Sequence, residues 1–216
     1  MMRRLLAEGL GALLLAAAVI GSGIMAERLA GGNQAIALLA NTAATVLALA
    51  VLIGTLGPVS GAHFNPVVSL VAVLRRDLSF PDGAAYATVQ VLGCCAGAVL
   101  ANLMFELPAI EASTSARAGP AQWLSEFVAT AGLVMVVLTS PSVREAAWRV
   151  PAWIGAAYWF TASTSYANPA ITIARSMSDT FAGIRQADVP AFVLAQVAGG
   201  LVGMLLARAL AGRTRS

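Results

Sequence analysis

Apolar residues run through this chain in long blocks with little alternation, and polar residues are confined to the short gaps between them. Six blocks are each long enough to cross a bilayer as a helix, which takes about 20 residues. They cover about 5–25, 35–57, 84–105, 122–139, 148–165 and 189–210. The pattern predicts six membrane-spanning helices joined by short loops. Two shorter apolar runs break the rule. Each follows an Asn-Pro pair, in Ser60-Gly61-Ala62-His63-Phe64-Asn65-Pro66-Val67 and in Ser165-Tyr166-Ala167-Asn168-Pro169-Ala170. Asn as cap and Pro at the first helical position mark a helix start. A helix that starts inside a membrane directs free N–H groups and partial positive charge at whatever lies there.

The two halves of the chain echo each other. Glu8 in the first block is answered by Glu126 in the fourth, Asn65-Pro66-Val67 by Asn168-Pro169-Ala170, and Gln90-Val91-Leu92-Gly93 by Gln196-Val197-Ala198-Gly199. Three spans per half is an odd number, so the second copy enters the membrane inverted. The Asn-Pro segments then dip in from opposite faces. Non-helical backbone at that depth is tolerated only where protein buries it or where it lines a water-filled cavity. The expected architecture is one all-α unit over residues 1–216, with repeat halves at about 1–107 and 120–216. Stripes of small residues, Gly93-Ala96-Gly97-Ala101 and Gly199-Gly203-Ala207, read as close helix packing.

Composition agrees. Of 216 residues, 59% are hydrophobic and 11% charged, against about 25% charged in soluble domains. The first block follows Arg3 and Arg4 as a signal peptide would, but it exceeds the roughly 7–15 residues of a signal core and the repeat needs it, so it reads as retained. All 13 basic residues are Arg. With the N-terminus inside, Arg3, Arg4, Arg75, Arg76, Arg144, Arg149, Arg208, Arg213 and Arg215 fall inside. Arg28, Arg117, Arg175 and Arg185 then fall outside. The bias predicts both termini in the cytoplasm, and the net charge of +3 reports topology, with no nucleic-acid partner implied. A short, loop-poor, Arg-only chain points to a bacterial inner membrane. Cys94 and Cys95 lack metal-ligand spacing and read as small buried hydrophobes. No nucleophile–base pair or metal cluster suggests an enzyme, and no cofactor or metal is expected.

The paired motifs, the early Glu of each half, and Gln90 closely resemble the aquaporin family, the major intrinsic proteins, across essentially the whole chain. The resemblance implies six transmembrane helices plus two re-entrant half-helices, a homotetramer, and one pore per subunit for water or small uncharged solutes. It implies that Asn65 and Asn168 each present an amide N–H to the pore centre, orienting a passing water so that a proton-conducting chain is broken. It gives Glu8 and Glu126 a scaffold role, accepting from backbone N–H groups of the dipping loops. It places His63 as a lining residue of the cytoplasmic vestibule.

The chain departs from the family at the outer constriction. Most members carry Arg directly after the second motif, where this chain has Ile171, and the first basic residue is Arg175. Either Ile171 replaces the arginine, or residues 171–174 are an inserted turn and Arg175 keeps the role. The ungapped match of Pro169-Ala170-Ile171-Thr172 to Pro66-Val67-Val68-Ser69 favours replacement. Arg175 then reads as a mouth residue paired with Asp179 at i+4. Family spacing assigns Thr45, Ala156, Ser165 and Ile171 to the filter, a ring with no aromatic and no fixed charge. Such a ring suits glycerol, urea or a neutral metalloid hydroxide such as arsenous acid. The segment 168–184 looks like that of bacterial members linked to arsenic handling. A water-selective channel with Arg175 as filter arginine is the alternative. A secondary transporter is a further class, disfavoured because Glu8 and Glu126 are the sole acids at membrane depth. A closed structural junction is disfavoured by the small Thr45 and Ala156. Sequence leaves open whether Tyr158, Trp159 and Tyr166 are interfacial anchors or pore lining.

Overall fold

The computed structural model describes residues 1–211. The predicted Arg213 and Arg215 of the cytoplasmic C-terminus lie outside the described residues. The described chain is all-helical: α1 (Met2–Leu29), α2 (Gln34–Ser60), α3 (Pro66–Leu74), α4 (Phe80–Met104), α5 (Pro120–Thr139), α6 (Val143–Phe160), α7 (Pro169–Arg175) and α8 (Val189–Leu210), with one 3₁₀ turn at Gln186–Asp188. Six long helices and two short ones occur in the predicted order.

Helix boundaries follow local chemistry. Asn33 caps α2 by accepting from the N–H groups of Ala35 and Ile36, and Ser79 caps α4 by accepting from Asp82 N. Each short helix opens on the sequence signal read above: Asn65 accepts from Val67 N and precedes Pro66, and Asn168 accepts from Ala170 N and precedes Pro169. The fifth span starts earlier than its apolar block. Ser142 caps α6 by accepting from Glu145 N, so the first turns hold Arg144, Glu145 and Arg149, and 161–168 is extended or turn. Five of the long helices are apolar enough to cross a membrane by length and composition. α6, the remaining long helix, is not among them, because Arg144, Glu145 and Arg149 are gathered in its first turns.

Packing repeats between the halves. α1 lies along α4 and α5 along α8, and these are the two most extensive helix contacts. Glycines set the approach. A Cβ at Gly93 or Gly97 would strike the carbonyl oxygen of Gly9 or Leu13 on α1. One at Gly199 or Gly203 would strike that of Phe127 or Ala131 on α5. The pairs correspond one to one: Gly9 and Leu13 stand to α4 as Phe127 and Ala131 stand to α8. Without a hydrophobic driving force inside lipid, such backbone contact is a main source of helix association. The small-residue stripes are therefore packing, as read from the sequence. Cys94 is buried against the Ala12 carbonyl at 3.5 Å.

Candidate functional site

The two short helices meet N-terminus to N-terminus in the middle of the bundle, and a lattice of side chains centred on Glu8 and Glu126 fixes the loops that lead into them. Glu8 of α1 is fully buried. Its carboxylate accepts from Ser60 Oγ (2.6 Å), His63 N (3.0 Å), Phe64 N (2.8 Å) and Gln90 Nε2 (2.8 Å). Glu126 of α5, also fully buried, accepts from Ser163 Oγ (2.6 Å), Tyr166 N (2.9 Å), Ala167 N (2.9 Å) and Gln196 Nε2 (2.6 Å). Each glutamine also donates to a hydroxyl on the adjoining short helix, Gln90 to Ser69 and Gln196 to Thr172. Four donors satisfy each buried carboxylate where water cannot.

These bonds hold an unusual backbone. Positive φ occurs at Gly61, Ala62 and Phe64 in the first loop and at Thr164, Ser165 and Ala167 in the second. The two sets match position for position. A non-glycine residue there costs about 1–3 kcal/mol, and the charge-assisted bonds of each loop, about 1.5–3 kcal/mol apiece, offset it. A trans peptide points its carbonyl opposite to its N–H. With the N–H groups of His63 and Phe64 on Glu8, the carbonyls of Ala62 and His63 turn the other way. They face the cavity that both residues line. The same holds for Ser165 and Tyr166 against Glu126.

At the centre the asparagines cross. Asn65 Nδ2 donates to Ala167 O and Asn168 Nδ2 donates to Phe64 O, both at 2.8 Å. Each Oδ1 is held by its own helix start. An amide has two N–H donors, and the crossing bond uses one. The other is left for the cavity, which both residues line.

That cavity has a volume of about 160 Å³, where about 10–15 Å³ suffices for one water. Its apolar wall comes from helix positions four residues apart: Leu15 and Val19 on α1, Leu133 and Val137 on α5, Leu49 and Ile53 on α2, and Val150 and Ile154 on α6. The backbone and asparagines supply a polar stripe. A second cavity of about 190 Å³ adjoins it, sharing His63, Val68 and Val137. His63 therefore sits at the junction, with Nδ1 3.1 Å from Ser69 Oγ.

Of the four positions assigned to a filter, Thr45, Ser165 and Ile171 line the cavity. Ala156 does not. It is exposed on the outer surface of α6, because the inward face of that helix runs through Val150, Ile154 and Tyr158 and position 156 lies across the helix from it. Tyr158 stands there instead, its hydroxyl 3.4 Å from Thr45 Oγ1. Arg175 also differs from expectation. It is 2% exposed, lines the cavity, donates through Nε to Ala182 O, and lies 3.4 Å from the centroid of the Tyr166 ring. Asp179 does not pair with it: that carboxylate accepts from Thr114 N at 2.8 Å and Thr114 Oγ1 at 3.0 Å. The expected ring without aromatic or charge is thus corrected on both counts. Tyr158 and Tyr166 are lining residues, while Trp159 is exposed. Sequence reasoning missed Ser60 and Ser163, whose equal spacing from the two Asn-Pro pairs was the available signal.

Two opposed half-helices inside six long ones, with crossed asparagine caps beside an amphipathic cavity, define the aquaporin fold. Comparison with known proteins agrees. The family model for major intrinsic proteins matches residues 1–162. The chain is 54% identical to the aquaglyceroporin AqpS of Rhizobium meliloti (strain 1021) over 208 residues, 95% of this chain and 89% of the relative. It is 40% identical to the lens fiber major intrinsic protein of Gallus gallus over 96 residues, 44% of this chain and 35% of that one. The X-ray structure of the aquaglyceroporin from Plasmodium falciparum superposes with a TM-score of 0.72 at 19% identity, covering 96% of this chain and 94% of the other. The chain belongs to the major intrinsic protein family and is a multi-pass membrane protein.

Proposed function

We propose that the protein is a passive channel whose pore is the cavity between the half-helices, and that it passes water, glycerol and other small hydroxylated neutral solutes, urea and arsenous acid included. The observation that carries this reading is the pair of crossed amides, Asn65 and Asn168, on the wall of an amphipathic cavity of about 160 Å³. A solute moves along the carbonyl and amide stripe by exchanging one hydrogen bond for the next, while the apolar wall holds nothing. The half-helix N-termini put positive potential at the centre, and an oxygen there accepts from both amides. That arrangement opposes cations and interrupts a proton wire.

Thr45, Tyr158, Ser165 and Ile171 form the selectivity region, with His63 lining the vestibule and Glu8 and Glu126 as scaffold. Ile171 and Val68 are equivalent positions of the two short helices and both line the cavity. Thr172 and Ser69 are likewise equivalent partners of the two glutamines. Both correspondences support Ile171 as the residue in the arginine's place. A narrower reading, a water-selective channel closed by Arg175, draws on that residue's burial beside the cavity. The likeness to an aquaglyceroporin over nearly the whole chain favours the wider one. The protein is further proposed to act as a homotetramer of single inverted-repeat units in a bacterial inner membrane, both termini cytoplasmic.

Stopped-flow light scattering on proteoliposomes, with water, glycerol and arsenous acid in turn, tests the reading alongside Ile171→Arg. Passage of both larger solutes by the wild type and their block in Ile171→Arg are expected. Passage of water alone, with Arg175→Ala widening selectivity, refutes it in favour of the narrower channel.

A further inference from the structure

The connection between α4 and α5 runs across the segment that follows α7 and is tied to it along its length. Glu111 N donates to Met177 O at 3.0 Å, Ser113 N to Ser176 O at 3.1 Å, and Arg185 N to Ser115 O at 2.8 Å. Arg117 ends the run. Its backbone N–H donates to Asp188 Oδ2 at 2.8 Å. Its guanidinium donates through Nε to Gly183 O at 2.8 Å, through Nη2 to Phe181 O at 3.4 Å and through Nη1 to Ser163 O at 3.5 Å. Ser163 belongs to the stretch that leads into α7, and Phe181 and Gly183 to the stretch that leaves it. One side chain thus ties both ends of the second re-entrant segment.

The same guanidinium lies 5.3 Å from the centroid of the Tyr166 ring, which lines the cavity, whereas Arg117 itself does not. Tyr166 Oη donates to Gly183 O at 2.9 Å, so the two residues share that acceptor. Arg175 covers the ring at 3.4 Å and Phe192 meets it edge-on at 5.3 Å. The first half repeats the edge-on pair without the clamp. His63 stands two residues before its Asn as Tyr166 does, and Tyr86 meets it at 5.4 Å. The cation of that half, Arg4, lies over Tyr86 instead, and α3 joins α4 through residues 75–79 alone. The fold therefore closes a re-entrant segment without such a residue, and the Arg117 clamp is an addition made by the second half.

We infer that Arg117 is a positioning residue for solute selection, acting through Tyr166, whose ring it holds in the cavity wall. Charge-assisted bonds to three carbonyls of two different stretches, with a π face beside them, suit the rigid fork of a guanidinium and not the point charge of an ammonium. Removing the side chain opens volume beside the ring and takes from Gly183 O one of its two donors. Arg175 and Phe192 still hold the ring elsewhere, so it leans toward the vacated space and out of the cavity, which widens at that end. The inference rests on the cavity being the permeation path.

Glycerol and water permeabilities are measured by stopped flow on proteoliposomes, less the flux through protein-free liposomes, for wild type, Arg117→Ala, Arg117→Lys, Tyr166→Leu and the Arg117→Ala/Tyr166→Leu double variant. The quantity read is the glycerol-to-water ratio, which does not depend on how much protein folds and inserts. It is expected to rise about threefold or more in Arg117→Ala, within the range of coupling between contacting residues. A smaller rise is expected in Arg117→Lys. In the Tyr166→Leu background the same alanine is expected to leave the ratio unchanged, because the ring it acts on is gone. Arg185→Gln, which loses the 2.9 Å pair with Asp188 on the same segment, is expected to keep the wild-type ratio. An unchanged ratio in both Arg117 variants, with the two fluxes lowered in step, makes Arg117 a structural tie and overturns the inference. An equal rise in the Tyr166→Leu background overturns it too. Where Arg117→Ala does not fold, Arg117→Lys carries the comparison in both backgrounds, and failure of both to fold assigns Arg117 to folding alone. A wild type that passes neither solute defeats the channel reading and this one with it, whereas a conducting wild type with an unmoved ratio in the variants defeats this one alone.

Discussion

Glu8→Ala removes the acceptor of four donors at once, and the structure says which of them suffer. Ser60 Oγ keeps a weak alternative at Leu56 O, 3.5 Å away, and Gln90 Nε2 keeps Ser69. The backbone N–H groups of His63 and Phe64 lose their partner outright. Each buried donor left unmatched costs about 1–3 kcal/mol, so the pair costs about 4 kcal/mol. For a chain of this size that corresponds to a fall of about 8–16 °C in melting temperature. The loop also loses what holds Ala62 and Phe64 at positive φ, and with it the Phe64 carbonyl that receives Asn168. Water permeability is therefore expected to collapse together with stability. Glu8→Gln keeps one oxygen but turns an NH₂ toward a donor, so an intermediate loss is expected. Far-UV circular dichroism of purified protein in detergent gives the melting temperature, and stopped flow gives the permeability. A Glu8→Ala protein that melts within 1–2 °C of wild type and conducts normally would refute the scaffold argument.

Four further substitutions separate parts of the account. Tyr158→Ala is expected to raise the glycerol-to-water permeability ratio, while Ala156→Trp, on the outward face of α6, leaves that ratio unchanged; the two measured together test which face of α6 lines the pore. Gly97→Ala places a methyl against the Leu13 carbonyl and the Ala16 side chain, and overpacking of that kind costs about 1–3 kcal/mol, readable as a lowered melting temperature. Asn168→Ala removes both the cap of α7 and the bond to Phe64 O. Loss of the cap costs about 1 kcal/mol, and proton or cation leak, followed with a pH-sensitive dye in the lumen, is expected to rise.

The fold was legible because membrane helices announce themselves by length, and the half-helices by their Asn caps and Pro starts. The carboxylate lattice was half legible: Glu8, Glu126, Gln90 and Gln196 stood out as polar residues in apolar blocks, whereas Ser60 looked like a loop residue and Ser163 was counted into the end of the fifth apolar block. Ala156 was misplaced for a physical reason. The position came from family spacing counted along α6, and a count of residues carries no check on how the helix is rotated toward the cavity. Arg175 was misread because spacing to Asp179 suggested an ion pair. The decisive neighbours, Tyr166 and the Ala182 carbonyl, reach it through a loop whose path the sequence does not encode in any periodic way.

The central claim is passive permeation through a standing pore, and the dependence of flux on gradient tests it most directly. Initial glycerol uptake into proteoliposomes is measured against rising external glycerol, with and without imposed proton and sodium gradients. The account expects a rate that grows linearly with the glycerol gradient and is indifferent to both ions. Saturation at low glycerol together with acceleration by an ion gradient would contradict it and identify a coupled transporter.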